Sequence, residues 1–447
     1  MDDGADCDIS QTARDQKGQT VTAPERIRFD SVERQLLDAA LAGQELWPYS
    51  SSGNPVRNFW KEAREALENY YSDTSGERLR AVPAGSGTAA IHVALGGLQI
   101  PAGTEVIVPP ITDMGTVMPV IFQNAIPVFA DLDPNTGLLT AETIARVATS
   151  RTSAVIVAHL GGSPADMDPI LDFCRQHKIK VIEDAAQAQG ASYKGRPAGT
   201  RGDAGCFSLN SQKHITCGEG GFVLVRSEDD FLRCLNFSDK HRNRTGVNDT
   251  NSEHYIYNGS GVNYRMSDLE FAMLLAQLPK LAKVAARFTA VGQRLDERLS
   301  KIPGVRPQQH HGEAISSYFF QMFRLEPDLV ARREDVLKAM RLAANSVGMG
   351  VGRSYGDETL YRTGVFRNRN FFDTFGQPNN ETPIWPAELV ARQVFPDVPE
   401  TVFDYKQTHC PEAEKWIESS LQIVFHDGHE PHHADVIADA IETVLSD

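Results

Sequence analysis

No apolar run in this chain approaches the ~20 residues that a bilayer-spanning helix requires, so no membrane span is expected. Blocks of Lys or Arg are missing as well. The 44 basic residues are dispersed among 59 acidic ones, for a formal net charge of −15, and a phosphate backbone would need a basic stripe to bind. Nucleic acid is therefore not an expected partner. Cysteine is scarce: Cys7, Cys174, Cys206, Cys217, Cys234 and Cys410 are scattered without a C-x-x-C pair and read as reduced thiols of a cytoplasmic protein. The acidic N-terminus MDDGADCDISQTARDQKGQ has no basic segment leading into an apolar core, so it does not read as a secretory leader. Internal repeats and low-complexity tracts are absent too.

What remains is an ordinary soluble composition, 41% hydrophobic and 23% charged over 447 residues, enough for two domains sharing a large core. Residues 1–23 have little to bury and read as a flexible arm. Ser31 to Gly43 and Pro55 to Tyr71 carry apolar residues at helical spacing. From Arg80 to Val225 short β-branched or apolar runs alternate with helical segments, the pattern of βαβ units in a mostly parallel sheet. The expected strands are Leu79–Val82, Glu105–Val108, Pro127–Ala130, Ala154–Ala158, Lys180–Glu183, Gly205–Leu209 and Phe222–Val225. A long helical pattern opens at Ser267, with Glu270 placed for a capping box, and leads to a smaller α+β domain. The expected division is 24–285 for a large domain and 286–447 for a small one, with Arg367 to Thr408 as irregular loop.

Three stretches carry chemistry. In CFSLNSQKHITCGEGGFVLV, residues 206–225, Lys213 lies between two strand-like runs. Loss of hydration there would make its amine a better nucleophile, suited to a Schiff base, while the alternative is a lysine in a glycine-rich hairpin turn. Gly85-Ser86-Gly87-Thr88 joins a strand to an amphipathic helix, where backbone N–H groups and the helix dipole receive a phosphate, although a plain turn reads the same way. At 181–187, VIEDAAQ ends a buried strand in two acids, and Asp184 reads either as an N-cap or as the partner of a buried cation such as a protonated ring nitrogen. With the hydroxyl of Ser208 on the strand before Lys213, these parts fit one molecule, pyridoxal 5′-phosphate: a phosphate cradle, an acid for the ring nitrogen and an amine for the aldehyde.

The wording and order of the motifs resemble the DegT/DnrJ/StrS aminotransferases. The resemblance rests on GSGTAAIHVAL at 85–95, EVIVPPIT at 105–112, VAHLGGSPADMD at 157–168, VIEDAAQAQGASYKG at 181–195, FSLNSQKHITCGEGG at 207–221 and GVNYRMSDLEFA at 261–272. It implies an α/β chain with the fold type I of pyridoxal-phosphate transferases, a mostly parallel seven-stranded sheet sandwiched by helices plus a smaller C-terminal α+β domain. It implies that Lys213 carries the cofactor and shuttles protons, that Asp184 meets the pyridinium nitrogen and that Gln187 meets the ring hydroxyl. Gly87, Thr88 and Ser208 match its phosphate cradle, and Asn263 matches an asparagine that reaches the phosphate of the neighbouring subunit, hence a homodimer. Family dehydratases carry histidine where this chain has Lys213; here the histidine is the next residue, His214.

One departure stands out. The family places an aromatic ring over the pyridine after Pro-x-x-Thr, but residues 109–116 read PPITDMGT, so Asp113 and Met114 occupy the place of that ring. Tyr49, His241, Arg242 and Tyr355 lie where the family builds its substrate walls. No metal is expected from His426, His429, His432 and His433, which straddle Pro431 without a fixed ligand spacing. The expected activity is transfer of an amino group from glutamate or glutamine to a keto-sugar or cyclic ketone, in aminosugar, aminocyclitol or antibiotic biosynthesis. The alternatives are a dehydrating and aromatising enzyme of the aminohydroxybenzoate synthase type and a non-catalytic regulator that keeps the fold.

Overall fold

The computed structural model describes residues 13–14, 20–44, 46, 57–241, 259–369 and 385–446. Its centre is a seven-stranded sheet of β1 (Arg80–Ala84), β2 (Glu105–Val108), β3 (Ile126–Phe129), β4 (Thr152–Ala158), β5 (Lys180–Asp184), β6 (Ala204–Ser208) and β7 (Gly221–Val225), in the order β1-β7-β6-β5-β4-β2-β3. The neighbours from β6 to β3 run parallel, and β7 lies antiparallel between β6 and β1. The strands are apolar nearly throughout because both faces are covered, as crossover helices require in a parallel sheet. Alternation along the strands divides them between two cores. Val82, Cys206 and Val223 join the core containing helix α3 (Gly87–Gly97) and α4 (Met114–Phe122). Ala81, Phe207 and Phe222 face the other core, with α1 (Ser31–Ala42), α2 (Phe59–Ser75) and α5 (Asp268–Gln277).

The helix starts follow their caps. Asp30 and Glu33 close a capping box on α1, Asn58 accepts from Lys61 N–H on α2, and Ser267 with Glu270 forms the expected box on α5. The long pattern after Ser267 is two helices rather than one. Pro279 brings no N–H to the ladder, a single 3₁₀ turn covers Leu278–Lys280, and α6 (Leu281–Leu299) then restarts. A second, antiparallel sheet of β8 (Val305–Pro307), β9 (Gln321–Leu325), β10 (Gly350–Arg353) and β11 (Ser420–Val424), ordered β8-β9-β11-β10, packs on α6, α7 (Arg333–Val347) and the last helix, Pro431–Ser446.

The chain after 286 feeds both cores. Tyr361, Phe366, Trp385, Phe403, Tyr405 and Trp416 return to the large sheet and bury its edge strand β3. Phe129 meets the rings of Phe366 at 5.2 Å and Tyr361 at 5.5 Å, and Tyr405 OH donates to Pro127 O at 3.0 Å. The tract expected as loop from Arg367 to Thr408 thus contains ordered structure, including the helix Pro386–Val394 with proline at its first turn. Part of that tract, 370–384, lies outside the described residues.

Candidate active site

The register of the sheet assembles the site. Asp184 ends β5 opposite Ala158 of β4 and Cys206 of β6, at the carboxyl edge where parallel sheets hold ligands. Ser208 pairs with Gly221, and Gly221 pairs with Ala84, so the turn after β1 lies across from the end of β6. This closeness demands glycine. A Cβ on Gly87 would stand 2.8 Å from Ser208 Cβ, and one on Gly221 would stand 2.5 Å from Ser86 O. Ser86 caps α3 by accepting from Ala89 N–H at 3.0 Å, with Gly87 of the first turn against Ser208 and Thr88 next to it in the chain.

The two adjacent acids have opposite surroundings. Glu183 accepts from His159 Nε2 at 2.8 Å, from Arg201 and Gly202 N–H at 2.6 Å each and from Gly199 N–H at 2.9 Å. Burial pushes its pKa up, but those donors outweigh burial and hold it below the ordinary carboxylate value. Asp184 accepts from Thr116 Oγ1 at 2.7 Å and Ala186 N–H at 3.1 Å. For Asp184 burial prevails, and its pKa is raised despite those bonds and the nearby charge of Lys213.

Lys213 is half-buried in the loop after β6, with Nζ 4.3 Å from the centre of the Phe319 ring. Burial lowers its pKa, against the opposing pull of Asp184, Asp113 and Glu219. Gln187 spans the floor: its Oε1 accepts from Gly161 N–H at 2.9 Å, and its Nε2 donates to the hydroxyl of Tyr355. Tyr355 comes from the turn after β10, holds a left-handed backbone at φ 55° and feels the charges of both Asp113 and Asp184. The structure thus brings Lys213, Asp184, Gln187, Tyr355 and Asp113 to one cleft.

Asp113 is the N-cap of α4, where its Oδ1 accepts from Gly115 N–H at 2.7 Å, and it is exposed; Met114, at the first helical position, packs partly into the core. Asn263 is exposed and bridges to Asp239, while its neighbour Tyr264 accepts from Gly85 N–H at 2.7 Å. His241 terminates the segment after helix Glu228–Ser238, donating its backbone N–H to Asn236 O, and its described bonds do not reach the lysine loop. Tyr49 and Arg242 lie outside the described residues. Among the described residues no cluster of His, Cys, Asp or Glu has the makings of a metal site. His429 and His433 instead direct ring nitrogens at the carbonyls of Val347 and Thr22.

Three contributors escaped the sequence reading. Thr116 lies inside the PPITDMGT stretch but is aimed at Asp184 only by the first turn of α4. Phe319 belongs to the run SSYFFQMF, which reads as strand, and nothing local distinguishes a ring packed in a core from one under Lys213. His159 is visible in VAHLGG, yet its partner Glu183 is set by the β4–β5 register.

With this arrangement in hand, the relatives are informative. The model of the DegT/DnrJ/EryC1/StrS aminotransferase family matches residues 52–374, and the chain belongs to this family. It is 36% identical over 322 residues to GDP-perosamine synthase of Caulobacter vibrioides, covering 71% of this chain and 80% of that protein. It is 30% identical over 371 residues, 80% of either chain, to a Micromonospora echinospora protein provisionally named L-glutamine:3-amino-2,3-dideoxy-scyllo-inosose aminotransferase. The fold matches the crystal structure of an aminotransferase from Psychrobacter cryohalolentis with a TM-score of 0.75 at 24% identity, over 94% of this chain and 98% of that one. The chain is an aminotransferase with the α/β fold of its family.

Proposed function

We propose that this aminotransferase uses pyridoxal 5′-phosphate held by Lys213 and moves an amino group from glutamate or glutamine to a keto-sugar or cyclic ketone. The observation that carries the reading is the convergence of a half-buried lysine amine, a buried acid and a strand-to-helix glycine turn at one edge of the sheet. The residues fit the group. Gly87, Thr88 and Ser208 form a cradle too tight for a side chain at 87, suited to a phosphate at a helix N-terminus. Asp184, buried with its pKa raised by burial, would have its charged form favoured beside a protonated ring nitrogen. When bound, the cofactor supplies an electron sink for the carbon that loses or gains the amino group.

The remaining chemistry falls to the protein. Lys213, whose pKa burial lowers, would carry the proton to and from the reacting carbon. Thr116 orients Asp184, and Gln187, bonded to Tyr355, would hold the ring hydroxyl. At the place of the family's stacking aromatic, Met114 would offer a polarizable surface, while Asp113 caps α4. His241, Tyr355 and, beyond the described residues, Tyr49 and Arg242 are the proposed acceptor contacts.

The names of the two relatives support an amino-bearing or nucleotide-linked cyclic acceptor in aminosugar or aminocyclitol formation. We further propose a homodimer that shares its active sites through the exposed Asn263, with an arm at 1–23, a large unit at 24–285 and a small one at 286–447, of which Tyr361, Phe366, Trp385, Phe403, Tyr405 and Trp416 pack into the core of the large sheet. No helix among the described residues is long and apolar enough to cross a membrane. The buried free thiols Cys174, Cys206, Cys217, Cys234 and Cys410 support a cytoplasmic location.

The purified protein is expected to show the visible absorption of lysine-bound pyridoxal phosphate, and Lys213→Ala is expected to lose both that band and turnover. Nitrogen-15 supplied on glutamine or glutamate should appear in the product. A band that survives Lys213→Ala would sink the reading, and elimination without label transfer would favour the dehydratase alternative.

A further inference from the structure

The segment leading into α1 passes behind the lysine loop. Arg28 is almost completely buried there, and its guanidinium donates to Lys213 O at 2.9 Å and to Ser211 O. Within the loop, Lys213 N–H bonds Asn210 O in a single turn, so Arg28 secures the carbonyl side that the turn leaves open. Arg28 is itself tethered. Its own carbonyl accepts from Gln277 Nε2 at 2.9 Å, and Gln277 Oε1 accepts from Thr216 N–H at 3.4 Å on the far side of Lys213. One residue earlier, Ile27 N–H donates to Asp427 Oδ2 at 3.0 Å, and Asp427 is buried in the turn after β11. A guanidinium is costly to bury, and here two backbone carbonyls take its two terminal nitrogens, while Nε has no hydrogen-bond partner among the described residues, in a fork geometry that lysine cannot reproduce.

We infer that Arg28 is a positioning residue for Lys213: by holding the carbonyls of Ser211 and Lys213 it sets the direction in which the lysine side chain leaves the backbone, and Asp427 anchors the segment that carries it. The inference rests on Lys213 being the cofactor lysine, as proposed above. Lysine has four rotatable side-chain bonds, so a stray backbone would spread its amine over positions far from the reacting atoms. The strap also joins the lysine loop to the second sheet, because its two ends are Lys213 and the turn that follows β11.

The test compares Arg28→Lys, which keeps the cation but reaches one carbonyl at a time, with Arg28→Met, which keeps only the stem. The expected loss of kcat is about tenfold for Arg28→Lys and about a hundredfold for Arg28→Met, with KM for the amino donor within about twofold of wild type. Independently of turnover, the visible band should disappear faster on dialysis in the order wild type, Arg28→Lys, Arg28→Met. Arg298→Met, which removes a guanidinium bonded to Asp435 and Asp439 in the second unit, serves as a control for general destabilisation. Wild-type kcat and cofactor retention in Arg28→Met would overturn the inference, as would an equal kcat loss in an Arg298→Met protein of matched melting temperature. Survival of the band in Lys213→Ala would instead overturn the cofactor assignment, whatever the Arg28 variants do.

Discussion

Glu183 and Asp184 are neighbours in sequence and opposites in chemistry. Strand alternation turns them to different faces, where one finds an imidazole and three backbone N–H groups and the other a hydroxyl and one N–H. The motif VIEDAAQ announces two buried acids; that the pKa of Glu183 is lowered and that of Asp184 raised is decided by burial and by partners from 116, 159, 186 and 199–202. Asp113 teaches the converse. The residue that departs from the family pattern is spent on capping α4, a role its residue type already suggests. His214, beside the lysine, is buried against Phe288 and donates Nε2 to Ser317 O. Burial first, then the Lys213 and Arg28 charges, lower its pKa from 6.5 to about 4. The unfolded chain therefore binds that proton first, so stability is lost as pH falls from 6.5 toward 4, and it is fully present above 6.5. His214→Gln is expected to abolish this share of the acid-induced decline, on the order of 3 kcal/mol across that window. Denaturant unfolding at a series of pH values checks it; an unchanged decline would show that His214 is not the buried neutral group.

At the level of elements, the strands of the large sheet were legible because each is a short apolar run buried on both faces, and their observed bounds fall within two residues of expectation. The helix Pro386–Val394 was not. Its surroundings interleave Trp385, Phe403 and Tyr405 with polar residues at no helical or strand period, and the reason for those rings is strand β3, far earlier in the chain. An edge strand left bare would offer unpaired N–H and C=O groups, and this returning segment covers it. Phe403→Ala, which empties a fully buried ring site, is expected to cost about 3–5 kcal/mol by denaturant unfolding, with the absorption of bound cofactor retained in the protein that remains folded. A loss well under 1 kcal/mol would mean that the segment is not integral to the core.

Across the whole molecule, apolar side chains are exposed both on the approach to α1, at Ile27 and Phe29 beside the Arg28 that backs the lysine loop, and on α1 itself, at Val32 and Leu41. Solvent-facing residues of this kind in one stretch favour coverage by another protein surface, and the proposed homodimer supplies a second copy. The double variant Phe29→Asp, Leu41→Asp is expected to sediment as a monomer and to lose most turnover while keeping its far-ultraviolet circular dichroism. A variant that remains dimeric would place the interface elsewhere, and a fully active monomer would remove Asn263 from the shared site.

By itself the sequence determined the alternation of strands and helices, the candidate lysine and the family, because those depend on local periodicity and on motifs whose spacing survives in one dimension. Only the tertiary structure decided which partners the two acids meet, which ring lies beside the lysine amine and which arginine holds its loop. Those contacts join residues far apart in the chain, and their identity follows from strand register and from the close approach that glycine permits at Gly87 and Gly221. Lys213 could be found from its own neighbours; Arg28, behind it, could be found only by folding the chain.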